Sequence, residues 1–265
     1  MPEPPCQLDR ETTAMVSACA AEAVRHRTFC AVSLNLAKES CSDKVMNAIR
    51  AGPHLRDADI FLFQEVSRDS GKAGVAEEVA GRLGFHVYFA DAPEIADQGL
   101  AIVSRFPILE RKTERLRSFD LRFRSRKRFA IAATVQTTWA EVRIWNLHLD
   151  TRINVQQRLE QLQPVLEGAA RHAGPQLIGG DFNTNDLYWL RNVLPVPSRH
   201  AHIPAVRVAM RQHGFESPLP DELITCPRIR RHLDWLFVRG LKSLEAGAEP
   251  VPFSDHRAVW ICAQI

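Results

Sequence analysis

Short apolar runs that end in turn residues or polar groups recur along the chain and predict many buried strands. The run 60–63 closes in Gln64 and Glu65, and the apolar pair at 177–178 closes in Gly179-Gly180 before Asp181. Strands are predicted at 29–36, 60–63, 85–90, 99–104, 121–126, 129–135, 142–149, 175–178, 233–238, 241–246 and 257–263. A sheet-rich protein with polar groups at its strand ends is the first expectation.

Four other stretches show the three-to-four-residue apolar spacing of amphipathic helices. The clearest is 154–170, where Leu159, Leu162 and Leu166 share one face, with Pro164 as a candidate kink. The others are 42–55, which ends at Gly52-Pro53, 73–83, which Gly84 would cap, and 203–212. Between 186 and 231 the pattern is looser and repeatedly broken by proline.

The first 28 residues predict an N-terminal arm or a short helix and lack the pattern of a secretory signal. No stretch reaches the roughly 18 uninterrupted apolar residues that cross a bilayer, so we expect no transmembrane segment. With no internal repeat or low-complexity linker, residues 29–265 are predicted to form one domain.

The composition is that of a globular protein. At 45% apolar residues the chain can bury a sizeable core, and a formal net charge of +3 is too weak to imply nucleic acid. The six cysteines show neither metal-finger spacing nor a dense framework. We therefore expect reduced thiols in a cytoplasmic protein, although this spacing leaves a disulfide open.

Polar groups of one chemical kind follow several predicted strands. They are the oxygen-bearing residues Asn35, Glu65, Asp181, Asn183, Asp234 and Asp255 and the histidines His148 and His256. Each alone has an ordinary explanation as a turn residue, a surface acid or a buried histidine. Strand ends can gather side chains that are distant in sequence, so their joint occurrence points to one site for a hard cation or a phosphate.

The motifs around these residues resemble the endonuclease/exonuclease/phosphatase superfamily. They occur in the family's order over roughly 29–265: Leu34-Asn35, Phe63-Gln64-Glu65-Val66, 99–107 ending in Val-Ser-Arg-Phe-Pro, Asn146-Leu147-His148-Leu149-Asp150, Gly180-Asp181-Phe182-Asn183-Thr184, His232-Leu233-Asp234-Trp235 and Ser254-Asp255-His256. The Gly-Asp-Phe-Asn and Ser-Asp-His segments are specific only in combination.

This resemblance implies an α/β fold of the DNase I type, a four-layer sandwich of two mixed, mainly antiparallel sheets flanked by helices. It also implies hydrolysis of a phosphate ester with a divalent cation, Mg²⁺ or else Mn²⁺. The cation would be held by Glu65 and Asn35, with Asp255 as an addition, because Mg²⁺ prefers carboxylate, carboxamide and water oxygens.

The resemblance also assigns roles in proton transfer. His256, oriented by Asp234, ranks first as the base that activates water, and Asp181 is the alternative. His148 would be an acid for the leaving group or a donor to a nonbridging oxygen. The Asn183 amide would donate to the phosphate, and Arg128 matches a phosphate-contacting arginine.

Two positions depart from the family pattern. His148 places the chain nearer the DNase I and sphingomyelinase branch, whose partner acid for this histidine would fall near Asp97 or Gln98. Gln98 stands at the aligned position, and Leu100 follows Gly99 where many members carry asparagine. Both departures affect the leaving-group side of the site.

Basic residues dominate 111–128. One interpretation is a solvated hairpin that cannot pair edge to edge, and the other is a positive rim that attracts a polyanion. Phe119, Phe123 and Phe129 lie among these charges and suit either a nucleobase or a lipid head group. The first functional hypothesis is therefore a nuclease-like phosphodiesterase. The alternatives are a lipid phosphodiesterase or phosphatase and a noncatalytic polyanion-binding protein; oligomeric state is left open.

Overall fold

A computed structural model describes residues 28–67, 74–90, 99–119, 128–197 and 202–265. Its strands are β1 (Thr28–Asn35), β2 (Ile60–Val66), β3 (His86–Ala90), β4 (Gly99–Ser104), β5 (Ile108–Arg115), β6 (Phe129–Gln136), β7 (Glu141–His148), β8 (Gln176–Asp181), β9 (Leu187–Leu190), β10 (Leu194–Pro197), β11 (Asp234–Arg239), β12 (Lys242–Pro250) and β13 (Arg257–Gln264). Its helices are α1 (Ser42–Ala51), α2 (Val75–Leu83), α3 (Val155–Ala170) and α4 (His202–Gln212). Across these ranges, none of the helices has the length and apolar character that a bilayer span requires.

The strands form two large mixed sheets and a small hairpin. The first large sheet has the order β12-β13-β1-β2-β4-β3, and the second has the order β11-β8-β7-β6-β5. One pair in each large sheet is parallel, β1 with β2 and β7 with β8, and the other pairs are antiparallel. β9 and β10 form the separate antiparallel hairpin.

Alternating side chains of the strands supply the core. Ala31, Ile60 and Leu62 of the first sheet share one apolar cluster with Ile131 and Leu177 of the second, and α3 adds Leu162 and Val165 to that cluster. On the other face of the first sheet, Val32 and Phe61 pack with Val45 of α1 and Val79 of α2. Helices therefore cover the sheets from outside, and the predicted α/β arrangement of two mixed sheets flanked by helices is confirmed.

β5 was not predicted as a strand. It carries Glu110, Arg111 and Lys112 in succession and, among the described strands, pairs only with β6, at the edge of the second sheet. The prediction of strands depended on alternating apolar residues, which this edge strand lacks. Charged side chains are common on edge strands because they prevent pairing with another strand. The strand predicted at 121–126 lies outside the described residues.

The cysteines correct one expectation. Cys30 and Cys262 form a disulfide, with their Cα atoms 4.1 Å apart and 232 residues between them in sequence. They face each other because β1 and β13 are antiparallel neighbours whose register pairs these two positions. Sequence spacing could not show this register, so the prediction of reduced thiols was wrong for this pair. Cys41 and Cys226 are free.

Candidate active site

Three strand ends of the second sheet meet at Asp181. The register of β8 pairs Asp181 with His148 at the end of β7 and with Asp234 at the start of β11. His148 Nε2 lies 3.4 Å from Asp181 Oδ2, and all three side chains are buried. Parallel and antiparallel pairing of neighbouring strands thus places two acids and a histidine side by side.

Gly180 makes this close approach possible. Its φ is +138°, and a Cβ built there would lie 2.0 Å from the Leu147 carbonyl oxygen of β7. Any other residue would push β7 and β8 apart immediately before His148 and Asp181. The glycine in the Gly-Asp-Phe-Asn motif is therefore needed for the geometry of the site.

Asp234 and His256 form a buried pair. His256 Nδ1 lies 2.8 Å from Asp234 Oδ2, which also accepts a hydrogen bond of 2.7 Å from the Thr225 hydroxyl. Asp234 Oδ1 is buried without a hydrogen-bond partner among the described residues. Ligand-capable atoms of Asp181, Asp234 and His256 all lie within 4.8 Å of one another.

The first sheet contributes Asn35 and Glu65 to the same edge. Asn35 Nδ2 donates to Asp181 Oδ2 at 3.1 Å, and Asn35 Oδ1 accepts from the Ala37 backbone N–H at 2.9 Å. Glu65 lies in a bulge of β2 with φ +53°, a conformation that re-aims its side chain at the strand end. Its charge is close enough to raise the pKa of Asp181.

The electrostatics of the edge are strongly perturbed. Burial, and then the neighbouring Asp234 carboxylate, raise the pKa of Asp181 to about 7. Burial alone would lower the pKa of His256, but the charges of Asp234 and Asp181 and the Asp234 hydrogen bond outweigh it and raise that pKa to about 11. At neutral pH His256 is therefore an imidazolium, whereas Asp181 titrates.

Asn183 connects the loops that follow β7 and β8. Its Nδ2 donates to the Leu149 carbonyl at 3.0 Å, and its backbone N–H donates to Asp181 Oδ1 at 2.9 Å. Its φ of +51° is the left-handed conformation that asparagine tolerates better than most residues. The second hydrogen of its NH₂ group has no acceptor among the described residues.

Arg128 is nine-tenths buried beside the same loops. Its Nε donates to Asp150 Oδ1 at 2.9 Å, and Gln161 Nε2 donates to Asp150 Oδ2 at 2.8 Å. Asp150 follows the end of β7 by two residues, so this pair fixes the Arg128 guanidinium near the strand end that carries His148.

Asp255 is exposed, although the next residue, His256, is buried. Its carboxylate is 4.0 Å from an Arg228 guanidinium nitrogen. The neighbouring Ser254 hydroxyl donates to the Asn35 carbonyl at 2.7 Å and accepts from the His256 backbone N–H at 3.1 Å. This turn attaches His256 to the end of β1. Every predicted site residue except Asp255 and Glu65 is buried.

Sequence reasoning gave no role to two groups that support the site. Gln64 Nε2 donates to Asn146 Oδ1 at 2.8 Å, and Asn146 Nδ2 donates to the carbonyls of Phe63 and Ala101 at 2.9 Å each. We call Gln64, Asn146 and Ser33, which accepts from Gln64 at 3.1 Å, the amide clamp between the sheets. The signal was present, because Gln64 and Asn146 stand inside motifs whose other members had been assigned.

Arg158 of α3 is the second such group. It is completely buried and donates to the backbone carbonyls of Asp150 at 3.0 Å and Phe182 at 2.5 Å, and to His202 Nδ1 at 2.9 Å. Burial, and then the Arg158 charge, lower the pKa of His202 to about 3, so that this histidine accepts as a neutral ring. Arg158 holds the loops after β7 and β8 from behind.

Some predictions lie outside the described residues. These are Asp97 and Gln98 as partners of His148, and the basic residues Arg122, Arg124, Arg126 and Lys127 with Phe123. Among the described members of the basic stretch, Lys112 pairs with Glu114 and Arg117 with Glu160, each at 2.6 Å. Their charges are thus partly neutralised within the chain.

The Endonuclease/Exonuclease/phosphatase family matches residues 32–256, which include all the site residues described above. The chain belongs to this family. A search of curated protein sequences finds no match.

Solved structures agree with the family in fold. An endonuclease/exonuclease/phosphatase from Beutenbergia cavernae DSM 12333 has a TM-score of 0.70 at 19% identity, covering 90% of this chain and 72% of that one. The human Nocturnin catalytic domain with bound sulfate has 0.67 at 17%, covering 90% and 94%. ANGEL2, a 2′,3′-cyclic phosphatase in complex with adenosine-2′,3′-vanadate, has 0.67 at 17%, covering 91% and 97%. Family and fold together support a hydrolase of phosphate esters.

Proposed function

We propose that the chain is a metal-dependent phosphodiesterase of the nuclease-like kind that hydrolyses its ester with an activated water. The observation that carries this proposal is the convergence of Asp181, Asp234 and His256 within 4.8 Å, with Asn35 of the opposite sheet bonded to Asp181. Paired groups whose environments move their pKa values apart are typical of acid–base catalysis.

The residues present fit a hard divalent cation. Asn35 Oδ1 has accepted one hydrogen bond and keeps a second lone pair, and Glu65, one residue beyond the register partner of Asn35, supplies a partly exposed carboxylate. Burial, and then the Asp234 carboxylate, raise the pKa of Asp181, and Asp234 Oδ1 is buried without a partner among the described residues, so a cation at this edge would stabilise its carboxylates. Asn35 and Glu65, with Asp255 as a third ligand, would hold Mg²⁺ or Mn²⁺, which when bound would stabilise charge on the phosphate and the leaving oxygen.

Proton transfer is assigned to Asp181 and His256. A base works best when its pKa is near the working pH, and Asp181 meets that condition with a pKa of about 7. His256, whose pKa of about 11 keeps it protonated, would donate to a phosphate oxygen while Asp234 fixes the orientation of its ring. These values favour Asp181 over His256 as the base, although the sequence ranked His256 first.

Three further side chains would contact the ester. His148, beside Asp181, would serve the leaving oxygen or a nonbridging oxygen. Asn183 would donate its remaining amide hydrogen, and Arg128 would offer the guanidinium nitrogens not bonded to Asp150. Buried hydrogen bonds position Asn183 and Arg128, and His148 is buried beside Asp181, so little reorganisation would accompany substrate binding.

Hydrolysis of bis(p-nitrophenyl) phosphate and of p-nitrophenyl phosphate, each with Mg²⁺, with Mn²⁺ and with chelator, tests the proposal. We expect turnover of the diester that is faster than that of the monoester, is lost with chelator and is lost in His256→Ala. DNA, RNA, sphingomyelin and phosphoinositides in the same assay separate a nucleic-acid ester from a phospholipid head group.

His54→Ala provides the matched control, because this partly exposed histidine pairs with Glu249 on the outer face of the first sheet. It should retain diester turnover. Faster turnover of the monoester would assign the chain to the phosphatases. No turnover of any ester with any metal would favour a noncatalytic polyanion-binding protein.

Residues 29–265 as one domain and a cytoplasmic location remain predictions. Limited proteolysis tests the first and cell fractionation the second. The cytoplasmic prediction rested on reduced thiols, and the Cys30–Cys262 disulfide does not support it, because such bonds persist mainly in oxidising compartments.

A further inference from the structure

A second set of metal-binding atoms adjoins the proposed active site. Cys226, Asp255 and His256 offer a sulfur, a carboxylate oxygen and a ring nitrogen, all within 4.8 Å of one another. Cys226 has no part in the chemistry proposed above. Nothing in phosphoester hydrolysis requires a thiol beside the histidine.

The thiol is held in place by its backbone. The Cys226 N–H donates to the Arg231 carbonyl at 2.9 Å, and the Arg257 N–H donates to the Thr225 carbonyl at 2.6 Å. These bonds connect the Cys226 loop to the start of β13, next to His256. The Cys226 residue is 3% exposed, whereas the Asp255 side chain is 42% exposed and its only ion pair among the described residues, with the exposed Arg228, spans 4.0 Å.

The histidine is oriented for a ligand. Its Nδ1 is bonded to Asp234 Oδ2, so Nε2 is the nitrogen that remains. A carboxylate on one ring nitrogen with a metal on the other is the usual arrangement of metal-binding histidines. Asp234 would therefore support a metal on His256 as well as it supports the imidazolium.

The donor set selects the kind of metal. Mg²⁺ prefers oxygen ligands, whereas one thiolate, one imidazole and one carboxylate suit a borderline-soft ion such as Zn²⁺. Three protein ligands leave a fourth tetrahedral position for water. Ligand atoms around tetrahedral zinc lie roughly 3.5 Å apart, as Zn–S and Zn–N bond lengths require. The three ligand atoms, which lie within 4.8 Å of one another, would therefore move closer together on binding, mainly through movement of the exposed Asp255 side chain.

We propose that Cys226, Asp255 and His256 form a Zn²⁺ site that takes His256 out of catalysis. Binding releases two protons to solvent, one from the Cys226 thiol and one from Nε2 of the His256 imidazolium, and places both atoms on the metal. Zinc is therefore an inhibitor that occupies His256 and competes with Mg²⁺ for Asp255 alone, leaving the Mg²⁺ ligands Asn35 and Glu65 in place. The inhibitory effect rests on the proposed function, but zinc binding itself does not.

Titration of the full chain with Co²⁺ in excess Mg²⁺, without reductant, tests the site independently of turnover. Co²⁺ bound to a thiolate gives a sulfur-to-metal charge-transfer absorption, and Zn²⁺ should abolish that absorption at one equivalent. Cys226→Ser should lose the absorption. Asp255→Asn should retain the absorption but require more metal, because the thiolate is present and one ligand is lost.

Cysteines elsewhere provide the control. The triple variant Cys6→Ser, Cys19→Ser, Cys41→Ser keeps Cys226 as its only unpaired cysteine and should bind cobalt as the parent chain does. An absorption that persists in Cys226→Ser, disappears in the triple variant or never forms would overturn the zinc site.

Inhibition of diester hydrolysis completes the test, measured for each variant relative to its own activity without zinc. We expect zinc to inhibit the triple variant at the zinc concentration that abolishes its cobalt absorption. Inhibition of Cys226→Ser should require a zinc concentration at least tenfold higher. Turnover without cobalt binding would reject the zinc site and leave the proposed function standing. Cobalt binding without turnover of any ester would do the reverse.

Discussion

Two buried polar clusters lie close together in this molecule and differ in kind. The amide clamp consists of neutral groups that bond the first sheet to the second through Gln64 and Asn146. The proposed catalytic edge, Asp181, Asp234 and His256, consists of ionisable groups, and the pKa values of Asp181 and His256 are both raised far above their ordinary values. The clamp gains stability from its hydrogen bonds, whereas the edge keeps a buried carboxyl in an environment that disfavours its charge. Stability and chemistry are therefore assigned to different residues a few positions apart.

The largest expected effect is on turnover in Asp181→Asn. The amide keeps the size of the side chain but cannot accept a proton, so diester hydrolysis should fall about 10²–10⁴-fold. Thermal stability above pH 7 should not fall, because a neutral amide avoids the burial cost that raises the Asp181 pKa. Steady-state kinetics and calorimetry measure the two effects.

Asp59→Asn is the matched control for that substitution. Burial also raises the pKa of this acid, which pairs with Arg105 and accepts from the Cys30 N–H outside the catalytic edge. We expect it to retain turnover. Equal losses of turnover in both variants would show that replacing any buried acid lowers activity, and would contradict a special role for Asp181.

Asn146→Leu should have the opposite profile. It leaves the Phe63 and Ala101 carbonyls without the Asn146 amide, at about 1–3 kcal/mol for each group left unsatisfied, whereas Gln64 keeps Ser33 and the Leu62 carbonyl as acceptors. Chemical denaturation should show a loss of roughly 3 kcal/mol. The pH dependence of turnover should be unchanged, and a shifted pH profile would contradict a purely structural role.

Ser33→Ala should have the smallest effect. Gln64 Nε2 also donates to the Leu62 carbonyl and to Asn146, so loss of the serine hydroxyl removes one of several acceptors. We expect destabilisation of about 1 kcal/mol by chemical denaturation. A loss as large as that of Asn146→Leu would mean that the clamp acts as one inseparable unit.

The sequence could predict which residues gather but not how they contact one another. Asp181 and His148 follow apolar strands, so periodicity located them, and the resemblance supplied the two sheets. The pairing of Asp181 with Asn35 depends on how the sheets face each other, which no local pattern contains. Cys30 and Cys262 were misjudged for the same reason, since 232 residues separate them. Glu110 to Lys112 of β5 were missed because an edge strand needs few apolar residues.

The pH dependence of kcat for diester hydrolysis tests the central claim most directly, which is that the electrostatics of the buried edge set its chemistry. If Asp181 is the base, activity requires its ionised form, so kcat should fall as the pH is lowered through about 7. The imidazolium of His256 should keep kcat level above that until its proton is lost near pH 11. A kcat that is constant through pH 7 and rises only toward pH 11 would contradict this assignment and make His256 the base.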